Sequence, residues 1–456
     1  MGSRLEPRPL CIPTPGWGRK LRAGSPTRTI DTASRRHRPS AWALRTLKIG
    51  LALAALALPG SVAQTSFAVF TENAPAVEMK TAPNWSPTQL SPRFVVTPAG
   101  CPDTTTAEGL NHFLTNPVGP LKGFDSPRAV PLPDGRTLWM VQDAFLDYDT
   151  TPSSMVEMRY INALVLVQDA AGCFTAVAHG DRRHALSFEP GDGAPDPWKR
   201  FWWPGGASAA SGQLQIIWIE MTHDSTEGRG PLDGPAVHPI ATWLATYDLT
   251  SLQRLSFVPA PEPDVRPIVA FDAVDDPRSG YTYLFGNTFV QNLALEPVPL
   301  FGAHSATITT LGRVPLGRLD LPAEYWAGDH WTADAAGAVP IAAQGSREHI
   351  MHPQLIDGVW WSTTKPEGFL GDTIIVETAV APQGPWVVYG TASSAAHGDP
   401  TGLVTYSPVL APWLDPSGSP IVLLSQIDPD WYRHDGGDPV RYRPQAILVR
   451  PTPAVQ

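Results

Sequence analysis

A five-bladed β-propeller, an all-β ring, is the fold this sequence predicts, and three observations point to it. Five times a turn containing glycine runs straight into a short apolar, aromatic-rich strand: GRTLWMVQD from Gly135, GQLQIIWIE from Gly212, GYTYLFGNT from Gly280, GVWWSTTK from Gly358 and GSPIVLLSQ from Gly418. These glycines lie 77, 68, 78 and 60 residues apart, a period that fits four strands plus long loops per blade. Between them short β-rich runs alternate with Pro/Gly/Asp loops such as GDGAPDP, without an evident amphipathic helix of three turns. In such a ring the inner strands converge on one axis, so polar residues from several blades can share a single pocket.

In chain order, residues 1–63 read as a leader and signal peptide. Arg35, Arg36, Arg38, Arg45 and Lys48 precede the apolar run Ile49 to Leu58, and Ser61-Val62-Ala63 is a small-residue pattern suited to cleavage before Gln64. The run is shorter than the roughly 20 residues of a membrane span, although an uncleaved anchor is the alternative reading. Residues 64–120, rich in Pro, Thr and Ala, are expected to be an N-terminal arm contributing a strand. Residues 121–456 form the propeller. Within it, TIIVETAVAPQGPW and NALVLVQDAAGCF look like second and third strands of blades. RYRPQAILV is expected to pair with an N-terminal strand and close the ring, removing free sheet edges.

Charge and cysteine content narrow the function classes. The whole chain carries a formal charge of −10, and without residues 1–63 it falls to −19. That field disfavours nucleic acid and anionic membrane surfaces and suits uncharged or cationic ligands. The expectation is a secreted protein, or one held in the periplasm or cell envelope, with no membrane partner once the leader is removed. Cys101 and Cys173, the two cysteines beyond the leader, are expected to pair in an oxidising compartment, although two separate buried thiols would also fit the sequence. Closing that interval would contribute roughly 4 kcal/mol through loop entropy. No metal-type cysteine spacing, GxSxG elbow, Walker loop or GxGxxG after a strand occurs, which argues against serine-hydrolase and nucleotide sites.

The stretches DSPRAVPLPDGRTLWMVQD, WWPGGASAASGQLQIIWIE, FDAVDDPRSGYTYLFGN and REHIMHPQLIDGVWWSTTK each resemble the repeating unit of five-bladed glycosidases such as glycoside hydrolase family 43. Through PLPDGRTLW, FWWPG, EYWAGDHW, GFLGDTIIVETA, PQGPW and RYRP, the region from Gly123 to Val449 looks still more like the bacterial propellers of domain-of-unknown-function family 4185, some of them assigned as endo-D-arabinanases. The resemblance implies a polysaccharide or oligosaccharide partner and three carboxylates on different blades. It puts Asp125 at a general-base position, Asp272 at a position that tunes proton affinity and Glu348 at a general-acid position. Blade one here reads Asp-Ser-Pro and blade four Glu-His-Ile, both departures from the family pattern.

The chemistry asks for such a trio. Glycosidic cleavage needs one protonated carboxyl at the leaving oxygen and one ionised carboxylate opposite, held about 6.5–9.5 Å apart when water attacks with inversion. Solvated loop aspartates are the plainer alternative in so acidic a chain. Asp143 is a rival to Asp125 and Glu220 a rival acid, while either could simply cap a turn. Sugar rings stack on aromatic planes, so Trp202, Trp203, Tyr325, Trp326 and Trp360 are substrate-binding candidates, with core packing the competing role of each. Arg128, Lys365 and Arg443 could donate to sugar hydroxyls or neutralise neighbouring carboxylates. No cofactor is expected. Resemblance allows a calcium or a water at a central histidine, whereas His349 and His352 form a metal pair only on a helix, which the β context opposes.

Overall fold

A computed structural model of the chain describes residues 94–115, 121–146, 159–179, 200–223, 237–262, 268–287, 309–341, 352–366, 373–393, 403–427 and 441–452. Internal contacts divide the chain into Met1–Val77 and Glu78–Gln456, and the described residues all belong to the second unit.

Five antiparallel sheets form the five blades of a propeller. Blade one contains β1 (Phe94–Gly100), β2 (Leu121–Pro131), β3 (Thr137–Leu146), β4 (Arg159–Gln168) and β5 (Phe174–His179), hydrogen-bonded in the order β1-β5-β4-β3-β2. Blade two runs β6 (Arg200–Ser208), β7 (Gln213–His223), β8 (Val237–Asp248) and β9 (Arg254–Pro259). Blade three runs β10 (Ile268–Asp276), β11 (Tyr281–Asn287), β12 (Thr309–Pro315), β13 (Glu324–Trp326) and β14 (Trp331–Thr332). Blade four runs β15 (Gln354–Ile356), β16 (Val359–Thr364), β17 (Thr373–Ala379) and β18 (Val387–Ser393), and blade five runs β19 (Val404–Leu414), β20 (Pro420–Ile427) and β21 (Gln445–Leu448). The innermost strands β2, β6, β10, β15 and β19 surround the axis, with β6 against β10, β10 against β15, β15 against β19 and β19 against β2.

The glycine-turn signal has a backbone cause. Gly135, Gly212, Gly280, Gly358 and Gly418 all adopt φ between 77° and 85°, the left-handed region, in the hairpin joining the first and second strand of each blade. A Cβ is disfavoured there, so glycine marks the same corner five times.

Packing explains why so many strands are apolar on both faces. Trp218 and Trp243 of blade two share one buried cluster with Met140 and Val165 of blade one; Ile217 and Leu284, Phe285 and Trp360, Trp361 and Leu424, and Leu423 and Leu164 likewise share clusters between the other blades. Each blade is therefore sandwiched between two others, and burying one large apolar side chain at these interfaces contributes about 1.5–3 kcal/mol.

Three expectations need correction. The N-terminal strand β1 pairs with β5 as the outer edge of blade one, and β21 adds to β20 of blade five, so these two strands do not share a sheet. Ring closure comes instead from a helix the sequence reading missed, α1 (Ala107–Thr115), because its two and a half turns are too short to show a clear period. Asn111 on α1 donates to Ala446 O at 2.6 Å and accepts from Ala446 N at 2.7 Å, replacing a strand partner for β21. Finally, β4 with β5 and β17 with β18 are third and fourth strands, not second and third. The expected pairing of Cys101 with Cys173 is present and fastens the end of β1 to the start of β5.

Gly205 and Gly206 let β6 close on β10. A Cβ on Gly206 would lie 2.8 Å from both Ala273 N and Ala273 Cβ. Gly206→Ala should therefore lower the unfolding free energy by about 1–3 kcal/mol through overpacking. Gly212→Ala, at an open turn with positive φ, should cost about 1 kcal/mol through backbone strain alone. Urea denaturation midpoints check both, and an unchanged midpoint for Gly206→Ala would contradict the close approach.

Candidate active site

Bulges interrupt the inner strands β2 and β19 at the candidate residues. In β2 the register slips between Asp125 and Arg128, and Ser126 between them has φ 44°. In β19 it slips between Tyr406 and Pro408, and Ser407 has φ 46°. The pairing of β3 with β2 slips past Asp143 (φ 32°), and His352 (φ 33°) stands just before β15. Among the described residues only Leu252 and Asp357 are further non-glycine cases of positive φ, so this unusual backbone gathers around one place. Such concentration is typical of functional sites.

Arg128 knits the centre together. Its guanidinium donates to Phe271 O at 2.9 Å and Pro204 O at 3.2 Å, lies 3.4 Å from Asp272 Oδ1, and sits 4.4 Å above the Phe271 ring. One side chain thus joins the inner strands of blades one, two and three. On the far side of Asp272, His352 Nδ1 lies 2.8 Å from Oδ2, which brings in blade four and places this histidine as an inner partner of a carboxylate. Blade five enters through the Tyr406 hydroxyl, which donates to Asp125 Oδ2 at 2.7 Å, while Ser425 accepts from Ser126 N at 2.7 Å.

The two axial carboxyls, both buried, are pushed in opposite directions. Burial and the negative charge of Asp143 raise the Asp125 pKa to about 8, against hydrogen bonds from Tyr406 and Tyr442 and the more remote charge of Arg128. Burial also pushes Asp272 up, but Arg128 and then His352 outweigh it and hold the carboxyl below its ordinary value. Neutral Asp125 and ionised Asp272 therefore coexist around pH 7.

Of the other sequence candidates, Asp143 and Trp203 join this centre: Trp203 Nε1 donates to Asp143 Oδ1 at 3.1 Å. Trp203 is half-buried and packs edge-on against Phe201. Glu220 is buried and accepts from Trp243 Nε1 at 2.7 Å inside blade two, a structural role. Trp202 and Trp360 are core residues between blades, because a strand sandwiched by two neighbours has no solvent face. Tyr325 and Trp326 lie on β13, the fourth strand of blade three; Tyr325 is buried in the core and Trp326 packs against Trp331, 5.4 Å away. Lys365 is fully buried and donates to Thr405 O at 2.5 Å, joining blades four and five. Arg443 is buried and donates to Lys122 O. Glu348 and His349 lie outside the described residues.

Tyr406 and Tyr442 were missed by sequence reasoning. A signal existed: Tyr406-Ser407-Pro408 repeats the Asp125-Ser126-Pro127 pattern, and both serines take the same rare backbone conformation. Among the described residues no cluster of three His, Cys, Asp or Glu is arranged to hold a metal ion. Away from the axis, a cavity of about 20 Å³ between blades two and three, lined by Ile217, Thr242, Glu262 and Leu284 among others, has room for one water and not for a sugar.

Linkage gives the charge asymmetry a measurable sign. Asp125 is ionised in the unfolded chain above about pH 4 and protonated in the folded chain up to about 8. The folded state thus binds more protons, its stability falls as pH rises from about 4 to about 8, and the slope vanishes beyond. Asp125→Asn should remove that component and be more stable than the parent at pH 8, as followed by denaturation midpoints across pH. Asp272→Asn should instead lose about 3–5 kcal/mol, because it strips a buried cation of its counter-charge. Parallel pH profiles for parent and Asp125→Asn would contradict the assignment.

The comparisons with known proteins agree with this fold. No curated protein matches the sequence. A protein from Bacteroides ovatus, provisionally described as a hydrolase, superposes with a TM-score of 0.54 at 15% identity, over 78% of this chain and 93% of that one. A thermostable family-43 glycoside hydrolase gives 0.39 at 14% identity over 73% and 91%, and the GH43_1 enzyme from Xanthomonas citri complexed with xylose gives 0.38 at 14% over 72% and 87%. The family model that matches is not that of family 4185; it is domain of unknown function 5005 (DUF5005), over residues 108–431. With well over half of its residues inside that match, the chain belongs to the DUF5005 family.

Proposed function

We propose that the chain is an exported glycoside hydrolase that cleaves a furanose-rich, arabinan-like cell-wall polysaccharide by carboxylate acid/base catalysis at the propeller axis. The observation that carries this reading is the unequal partnering of two buried axial carboxyls: Asp272 lies against Arg128 and His352, whereas Asp125 accepts from the Tyr406 hydroxyl and faces Asp143, which pushes its proton affinity up. Environments that drive neighbouring carboxyls apart in proton affinity are how one site runs acid and base chemistry at one pH. The hydrolase description of the Bacteroides ovatus protein is consistent with the reading at the level of fold.

Asp125 is protonated near neutrality, which suits a proton donor better than the general base that resemblance implied. In the reaction its proton passes to the glycosidic oxygen as the bond from that oxygen to the anomeric carbon breaks. Water then bonds to the anomeric carbon and gives its proton to a second carboxylate, for which Asp143 and Glu348 are the candidates. Asp272 remains ionised and occupies Arg128, so that guanidinium neutralises Asp272 more than Asp125. Trp203, fixed through Nε1 to Asp143, is the aromatic plane best placed to stack on a sugar ring. Export rests on the basic and apolar leader within residues 1–63.

A second reading, a propeller that binds glycans or proteins without turnover, is favoured by the enclosure of Asp125 and Asp272, which are only 5% and 9% exposed. Incubating the protein lacking residues 1–63 with arabinan, arabinogalactan, mycobacterial-type arabinan and xylan separates the two. A hydrolase releases new reducing ends from an arabinan, with kcat/KM falling as pH rises through about 8, where Asp125 loses its proton. Asp125→Asn should reduce kcat by about 10²-fold or more while ligand is retained. Binding without reducing ends in the parent would establish the second reading.

A further inference from the structure

The two oxygens of Asp125 stand in different surroundings. Oδ2 accepts from the Tyr406 hydroxyl at 2.7 Å, whereas Oδ1 is buried and has no hydrogen-bond partner. A neutral carboxyl has one hydroxyl oxygen and one carbonyl oxygen, and the carbonyl oxygen is the better acceptor. Burial first, and then Asp125, hold the Tyr406 pKa well above the usual phenol value, so Tyr406 stays a neutral phenol and its hydroxyl donates to Oδ2. Tyr442 hydrogen-bonds both to Tyr406 and to the Asp125 carboxyl, so both hydroxyls converge on that group.

From this geometry we infer that Tyr406 is a positioning residue that fixes the Asp125 carbonyl at Oδ2 and thereby places the transferable proton on Oδ1, the oxygen to which no protein group donates with hydrogen-bond geometry. The inference rests on the hydrolase reading for its kinetic consequence but not for its structural one. The groups that face this carboxyl come from every neighbouring element: Arg128 on β2, Asp143 on β3, Tyr406 on β19, and Tyr442 just before β21. Arg128 and the two tyrosines favour the ionised form, while Asp143 opposes it. Removing the tyrosine hydroxyl deletes one stabiliser of the carboxylate, so proton affinity must rise and the proton must lose its fixed seat.

Tyr406→Phe tests this, because it keeps the ring and deletes the hydroxyl. Two readouts are taken on the full chain: the pH at which the fall of folding stability levels off, and the alkaline limb of kcat/KM on arabinan. Both should move upward by about half a unit to one unit, and kcat should drop about tenfold with KM little changed. Tyr442→Phe should move them in the same direction by less, and it serves if the first variant does not fold. A stability profile unmoved in both variants would overturn the inference, as would a downward shift. A shifted stability profile with no turnover on any polysaccharide would uphold the proton placement and sink the hydrolase reading. Turnover with an unshifted limb would leave the enzyme standing and end the role given to Tyr406.

Discussion

Everything at the axis depends on how the Arg128 guanidinium is shared. It lies among three inner strands, bonded to carbonyls of blades two and three and within 3.4 Å of Asp272. A buried cation is costly unless paired and hydrogen-bonded, and here the pairing is unequal. Asp272 receives Arg128 and His352 together, while Asp125 faces Asp143 and receives mainly neutral hydroxyls. The difference between an ionised and a neutral carboxyl follows from that allocation. It needs no special property of either aspartate, only a difference in which partners the blades bring to each.

The propeller supplies those partners because its inner strands come from distant parts of the sequence. Asp125 and Tyr406 are 281 residues apart, yet β2 and β19 are adjacent in the ring. Bulges then do the local aiming. Regular pairing would alternate side chains between the two neighbouring interfaces, whereas the slips at Asp125, Asp143 and Tyr406 break that alternation. The backbone strain at Ser126, Asp143, His352 and Ser407 is tolerated because interlocking apolar cores on either side of each blade hold the strands in place.

Legibility in the sequence divided along the same physical line. Five left-handed turns each favour glycine, so the ring and its blade count could be read from Gly135, Gly212, Gly280, Gly358 and Gly418. The disulfide could be anticipated from two remaining cysteines. Asp125 and Asp272 were found through resemblance and spacing, and Arg128 and Asp143 as neighbours of the same motifs. Aromatic residues misled, since a tryptophan sandwiched between two blades and one beside a sugar look identical in one dimension; Trp203 differs from Trp202 only by which side of β6 it occupies. Tyr406 was missed because an isolated tyrosine in a strand carries no signal until β19 is placed beside β2. The closure of the ring was misjudged for a related reason: Asn111 satisfies β21 from a helix, and side-chain mimicry of a strand leaves no periodic trace.

Asp125 at the axis holds its proton to near pH 8, while Asp272, which shares Arg128 with it, does not. Carboxyl-selective 13C NMR titration of the folded protein, with Asp125→Asn as the assignment control, measures this directly. The account predicts one aspartate signal titrating at about 8 that is absent from the variant. A spectrum in which every aspartate signal titrates below about 5 would contradict it, and with it the division of labour around Arg128.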